Sequence, residues 1–272
     1  GASVNAVYGV ASMLLNLFDL IKPTFVVAAL ESEEKTQRKI QYSDYKAQRK
    51  PLEEALKSQI PSLLEILNAF GVCSLSSPGY EGDDVIGSLV SQYQGKMEIV
   101  IASNDRDLWQ LITDGVLVLS PKNNGKLADW VGTKEVLAQY GFPPHRIVDY
   151  KAITGDPSDN IPGISGIGKV TATKLIVKYG SLDNIYAEID DIKLNFGKGI
   201  AQKLIDGKEK AYLSRDLAQI KRDLPLEFSP DTCVFGGLPV EKLTQVLEKY
   251  AFYSLIRRLE EKTPKTKEKE KC

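Results

Sequence analysis

The sequence predicts an α/β fold, a mostly parallel sheet flanked by helices and followed by a helical domain. Three observations predict it. Short apolar runs suited to buried parallel strands, at Thr24 to Leu30, Met97 to Ser103 and Val116 to Leu119, alternate with segments of helical spacing. From Lys134 onward the strand signal fades and helical patterns succeed one another. Carboxylates fall just past strand ends, where such sheets place ligands: Glu31 after the first run, Asp105 and Asp107 after the second.

Taken in order, Gly1 to Leu20 sets Val7, Val10, Met13, Leu14, Leu17 and Phe18 on one helical face. It lacks the charged start and small-residue cleavage site of a signal peptide. Residues 31–50 read first as a solvated helix with Glu–Lys pairs. Their Lys35, Arg38, Lys39, Lys46, Arg49 and Lys50, interleaved with Tyr42 and Tyr45, also suit an element that grips a nucleic-acid strand. Pro51 to Phe70 is helical again, with Pro61 expected to kink or divide it and Gly71 to end it. Leu108 to Thr113 reads as a short helix, and further helices are expected at Arg146 to Thr154, Val170 to Tyr179, Leu182 to Glu188, Gly199 to Ile205 and Pro239 to Leu259. The expected division is a core over 1–150, a helical domain over 151–260 and a disordered Lys/Glu tail over 261–272.

With 272 residues, 43% of them hydrophobic, the chain has the composition of a soluble globular protein, and no apolar run is long enough to span a bilayer. The net charge of -1 hides an uneven distribution, so a polyanionic partner remains compatible with it. Cys73, Cys233 and Cys272 are odd in number and form no C-x-x-C pair, which indicates neither a disulfide framework nor a zinc knuckle and fits a reducing compartment. A single histidine, His145, rules out His-rich metal centres.

Ser77 to Leu108 holds the acidic centre: Glu81, Asp83 and Asp84 at a helix start, Asp105 and Asp107 after a strand. Two like charges about 4 Å apart repel by roughly 4 kcal/mol at an effective dielectric of ~20, so gathering these groups requires cations. An all-oxygen cluster favours Mg²⁺ or Mn²⁺, and two such ions clamp both oxygens of a phosphodiester displacement. The plainer alternative is acids complementing a helix dipole beside a polar loop.

Gly163-Ile164-Ser165-Gly166-Ile167-Gly168-Lys169-Val170 nearly matches a nucleoside-triphosphate loop, but Val170 has no hydroxyl for Mg²⁺. What remains is a helix-turn-helix hairpin whose Gly163, Gly166 and Gly168 let backbone N–H groups approach a phosphate, with Lys169 and Lys174 adding charge. A tight turn between packed helices fits the glycines equally. The adjoining Asp156 and Asp159 favour metal nearby.

Together G-Y-E-G-D-D-V-I, A-S-N-D-R-D-L-W-Q-L, T-G-D-P-S-D-N-I-P-G and G-I-G-K-V-T-A resemble the 5′ nuclease domain of bacterial DNA polymerase I, in the flap endonuclease superfamily. The similarity runs in order from about Val4 to about Leu259. It implies a PIN-like core followed by a helix-three-turn-helix domain, and a 5′-3′ exonuclease and flap endonuclease of DNA replication and repair. By motif, Glu81, Asp83, Asp84 and Asp105 look like first-site metal carboxylates, with Asp107, Asp156 and Asp159 nearer the second. Glu31 stands at another ligand position, where the family has aspartate. Tyr45, Lys46 and Arg49 match the arch segment whose tyrosine and lysine handle the scissile phosphate, and Arg38 matches the arginine of the family's F-R motif. Gly163, Gly166 and Gly168 match the hairpin that holds duplex DNA, where the family often binds potassium. The family's opening strand, which ends in a metal-binding aspartate, is absent here, and truncation of the sequence is the expectation. The implied partners are DNA flaps, nicks and duplex ends, with a monomer and no membrane. The implied setting is intracellular: cytoplasm or nucleoid in a bacterium, an organelle in a eukaryote. A catalytically inactive junction-binding protein and an RNA-cleaving PIN-type enzyme are the alternatives.

Overall fold

The computed structural model describes residues 4–121 and 129–262. Of the disordered tail expected over 261–272, residues 263–272 lie outside the described residues, while Glu261 and Lys262 are helical instead. Helix α1 spans Asn5–Ile21 and buries Val7, Ala11, Leu14, Leu15, Leu17 and Phe18, a stripe set by helical spacing. Strand β1 (Val27–Ala29) follows, then α2 (Gln37–Gln41), which is capped by the Thr36 hydroxyl accepting from Lys39 N–H. The solvated helix expected over 31–50 is therefore reduced to five residues, and Tyr42–Arg49 instead forms turns.

Helix α3 (Glu54–Lys57) and α4 (Ile60–Ala69) are divided just before Pro61, which sits in the first turn of α4, and Gly71 adopts a left-handed φ of 73° beyond it. Next come β2 (Cys73–Leu75), α5 (Gly82–Tyr93), β3 (Ile99–Ala102), a 3₁₀ turn at Arg106–Leu111, β4 (Val116–Ser120) and β5 (Asp129–Val131). The helical part comprises α6 (Thr133–Tyr140), α7 (Ile147–Thr154), α8 (Lys169–Tyr179), α9 (Leu182–Ala187), α10 (Ile189–Asn195), α11 (Lys198–Asp206), α12 (Lys208–Ala218), α13 (Val240–Lys249) and α14 (Tyr253–Lys262). The single last helix expected from Pro239 to Leu259 is two, parted where Ala251 takes a φ of 57°.

Among the described residues pairing is mostly parallel, but in two small sheets. β1 pairs parallel with β2, β3 parallel with β4, and β4 antiparallel with β5. The chain divides into two compact units, each built from separate stretches. One contains the residues through Ala29, Lys50–Leu75 and those from Glu227 on; α1, α4, α13 and α14 pack together in it. Cys73 and Cys233 form a disulfide in this unit, with Cα atoms 5.5 Å apart, correcting the expectation of unpaired cysteines. They are 160 residues apart in sequence, so spacing alone carried no sign of the pair. The other unit, Leu30–Arg49 and Ser76–Leu226, holds every candidate site residue. Its core runs from Ile101, Val116 and Val118 of the sheet through Trp109 to Ile153, Leu175, Ile176 and Leu204 of the helices.

Candidate active site

The first turn of α5 is the frame of the site. Asp84, at the third helical position, accepts from the backbone N–H of Glu81 at 3.2 Å, the acidic half of a capping box. The same carboxylate accepts two bonds of 2.6 Å from the Arg38 guanidinium and one of 2.8 Å from Lys221 N–H. Gly87 makes the last contact possible: a Cβ there would lie 2.5 Å from the Lys221 carbonyl oxygen. Arg38 spends its remaining donors on Glu81 and on the carbonyls of Leu217 and Gln219, so all five N–H groups are used. Burial opposes the Asp84 charge, but Arg38 overcomes it and holds the carboxyl below its usual range.

One residue earlier the environment reverses. Burial pushes Asp83 up to about 7, helped by the negative charge of Asp105, opposed by Lys46, and helped again by Glu81 and Asp107. Among the described residues no basic side chain forms an ion pair with it. Burial also raises Glu31, with Glu81 adding repulsion against the pull of Lys46. Glu81 itself is 5% exposed, and its Oε2 receives Lys46 Nζ at 2.9 Å, Tyr45 OH at 3.1 Å and Arg38 at 3.4 Å.

The acids farther along the chain carry their own cations. Lys151, on α7, ion-pairs with both Asp107 and Asp156, the latter at 2.7 Å. Burial would raise Asp156, yet hydrogen bonds from Lys151 and Ser158 bring it down to about 2. Asp107 stays raised because burial outweighs Lys151. Asp159 accepts from Arg49 at 2.5 Å and from Tyr45 OH at 3.4 Å, while its carbonyl accepts from Lys46 N–H at 2.9 Å. Asn160 donates to the Asp44 carbonyl and accepts from Gln48, completing a latch between residues 44–49 and the D-P-S-D-N turn. Lys46 takes a left-handed φ of 54° within it.

The structure thus gathers Glu31, Glu81, Asp83, Asp105 and Asp107 into one interacting set, with Asp156 joined through Lys151. It places Asp84 apart, with all its acceptor directions committed to Arg38 and two N–H groups, correcting its expected place among the metal carboxylates. Arg38 is an anchor for that carboxylate, not a free cation. Tyr45 is 3% exposed, so its ring offers no face to a base. Sequence reasoning missed Lys151 and Lys221, because pairing across 44 or 137 positions leaves no local signal. At the hairpin, Gly163 is buried, donates its N–H to Ser214 Oγ at 2.9 Å, and would drive a Cβ to 2.3 Å from Gly155 N. It is a packing glycine and offers nothing to a phosphate. Gly166, Gly168, Lys169 and Lys174 are exposed, with Gly168 preceding α8 and the Gly166 carbonyl accepting from Lys203.

Family models match along the chain: the 5′-3′ exonuclease N-terminal resolvase-like domain over residues 1–141, and the 5′-3′ exonuclease C-terminal SAM fold over 142–241. The chain belongs to the 5′-3′ exonuclease family. Its nuclease class and two-part architecture are those the motifs predict. It is 37% identical over 262 residues to a 5′-3′ exonuclease of Aquifex aeolicus, covering 96% of this chain and 86% of that one. It is 40% identical over 258 residues to the DNA polymerase I of Caldicellulosiruptor bescii, covering 94% of this chain but only 30% of the polymerase. The chain thus spans under a third of such a polymerase. A bacteriophage T5 flap endonuclease, solved as a pseudo-enzyme-product complex with DNA and metal ions, shares the fold with a TM-score of 0.63 at 19% identity, covering 93% of this chain and 89% of that one.

Among the described residues no group of three or more acidic, histidine or cysteine side chains stands arranged to hold a metal ion. The donor chemistry nevertheless fits a hard divalent cation. The groups are all carboxylates, and a half-buried Asp83 among Asp105, Glu81 and Asp107 is a concentration of negative charge that the protein's own cations leave incompletely matched. No helix of the described residues is long and apolar enough to cross a membrane.

Proposed function

We propose that the chain is a metal-dependent 5′-3′ exonuclease and flap endonuclease that hydrolyses phosphodiesters of DNA at 5′ ends, nicks and junctions in replication and repair. The observation that carries this reading is Asp83, half-buried, raised to about 7 by burial and by the charge of Asp105, and without an ion-pair partner among the described residues. Glu31, Glu81, Asp83 and Asp105 would hold one Mg²⁺ or Mn²⁺, and Asp107, Asp156 and Asp159 a second. Such ions lower the pKa of a bound water and neutralise both oxygens of a phosphodiester displacement.

The chain's own part is placement. Arg38 fixes Asp84 and with it the α5 turn that carries Asp83. Lys46 and Arg49, held beside Glu81 and Asp159, supply positive charge where the phosphate gains negative charge. The exposed start of α8, with Lys169 and Lys174, would meet duplex backbone without reading sequence, and a potassium ion at the hairpin belongs to the same proposal. The T5 protein's complex with DNA and metal ions supports this reading. An intracellular monomer is part of it.

The test is cleavage of a labelled 5′-flap DNA with Mg²⁺ and with EDTA. Cleavage should require the ion and be lost in Asp83→Ala and Asp105→Ala; activity indifferent to chelator would falsify the reading. Asp84→Ala is the poorer probe, since it strands Arg38. A second reading, junction binding without turnover, is favoured by the lack of a ready three-ligand arrangement. Tight flap binding with no cleavage at any Mn²⁺ concentration would establish it. An RNA flap run in parallel separates the DNA enzyme from an RNA-cleaving one.

A further inference from the structure

Lys151 ion-pairs at once with two of the candidate carboxylates of the second metal, Asp107 and Asp156. It rises from α7, with its side chain 15% exposed, between Asp107 in the turn after β3 and Asp156 just past the end of α7. The Asp156 carboxylate is fixed independently of the lysine, its Oδ1 accepting from the Ser158 N–H and hydroxyl at 2.9 and 2.6 Å. The backbone N–H of Asp107 donates to Asp105 Oδ1 at 2.8 Å, while the Asp107 carboxylate itself is held by Lys151. One ammonium therefore bridges two carboxylates, and a single positive charge against two negative ones leaves the pair undercompensated. On the other side Lys46 pairs with Glu81, and among the described residues no ion pair reaches Asp83 or Asp105.

We propose that Lys151 is a built-in counter-cation: it holds Asp107 and Asp156 together in the metal-free enzyme and withdraws when a divalent ion takes its place. Its charge then sets how tightly this half of the site binds an ion. The inference rests on the metal-dependent reading above. Lys151 acts here as a positioning residue, through the carboxylates and not on substrate.

Two measurements on the full chain test it. Mn²⁺ binding followed by electron paramagnetic resonance should become about tenfold tighter for the weaker ion in Lys151→Met, the scale of one lost half-buried ion pair, and stay near wild type in Lys151→Arg. Unchanged or weaker Mn²⁺ binding in Lys151→Met overturns the proposal. The second needs no variant: in the wild type, acetylation of the Lys151 amine, read by mass spectrometry, should speed up several-fold when Mn²⁺ replaces EDTA. A rate that does not rise overturns it equally. A wild type that takes up no Mn²⁺ at all overturns the metal reading itself, a result distinct from Mn²⁺ uptake insensitive to Lys151.

Discussion

Asp83 and Asp84 are neighbours in one motif, yet the two sides of the α5 turn treat a carboxylate in opposite ways. On the Asp84 side every acceptor direction is met, and Arg38 meets it with a full set of donors anchored on the end of α12. On the Asp83 side burial and a neighbouring Asp105 hold the proton on to about 7. One carboxylate is structural because its charge is already answered. The other is available because it is not.

The largest effect should come from breaking the satisfied side. Arg38→Met leaves Asp84, 0% exposed, as a buried charge without its partner, at a cost of about 3–5 kcal/mol. Urea denaturation of the metal-free protein at neutral pH measures this, and a loss below about 1 kcal/mol would show that the pair does not anchor the turn. Next comes the unsatisfied side, through pH. Below about pH 4 Asp83 is protonated whether the chain is folded or not. Between about 4 and 7 the unfolded chain releases that proton while the native state keeps it, so stability falls as pH rises through this window, by up to about 4 kcal/mol. Asp83→Asn should reduce the fall to what Glu31 and Asp107, also raised by burial, contribute. Asp156, held at about 2, works the other way, and its contribution is lost only as pH drops below about 4. Denaturation curves at pH 5 and pH 8 in EDTA, wild type against Asp83→Asn, separate the two; a wild-type stability that is flat from 5 to 8 contradicts the assignment.

Tyr45→Phe sharpens the comparison at a smaller scale. The single hydroxyl proton lies between Glu81 at 3.1 Å and Asp159 at 3.4 Å, so its removal takes one buried donor from the pair of acids, about 1–3 kcal/mol. Thermal denaturation checks it, and an unchanged midpoint would mean that Lys46 and Arg49 satisfy those oxygens alone.

Which parts of this were legible in the sequence follows from the range of the interactions. The acidic motifs, the strand cores and the Pro61 break are local patterns, and each carries its meaning within a few residues. The cations that answer the acids come from far along the chain, and Lys151 gives no sign of its role until α7 is folded. Helix α12 escaped because its buried positions, Ala211, Ser214, Leu217 and Ala218, are mostly small and sit among charged residues, so its apolar face is faint. The split before α14 occurs at an alanine, with neither glycine nor proline to mark it. Gly163 misled for a physical reason as well: backbone crowding and phosphate contact both demand glycine, and spacing cannot tell them apart.

The smallest expected change in stability is the one that most sharply separates structure from function. Arg49 pairs with Asp159 as Arg38 pairs with Asp84, but its side chain is 53% exposed. Water and salt therefore screen the pair, and Arg49→Met should cost no more than about 1 kcal/mol. If Arg49 is there for the phosphate, flap cleavage should nevertheless fall by about 100-fold, the scale of one lost electrostatic stabiliser. A variant that loses stability and activity in step would make Arg49 a second Arg38, holding the 44–49 latch shut, and would move the burden of charge stabilisation to Lys46.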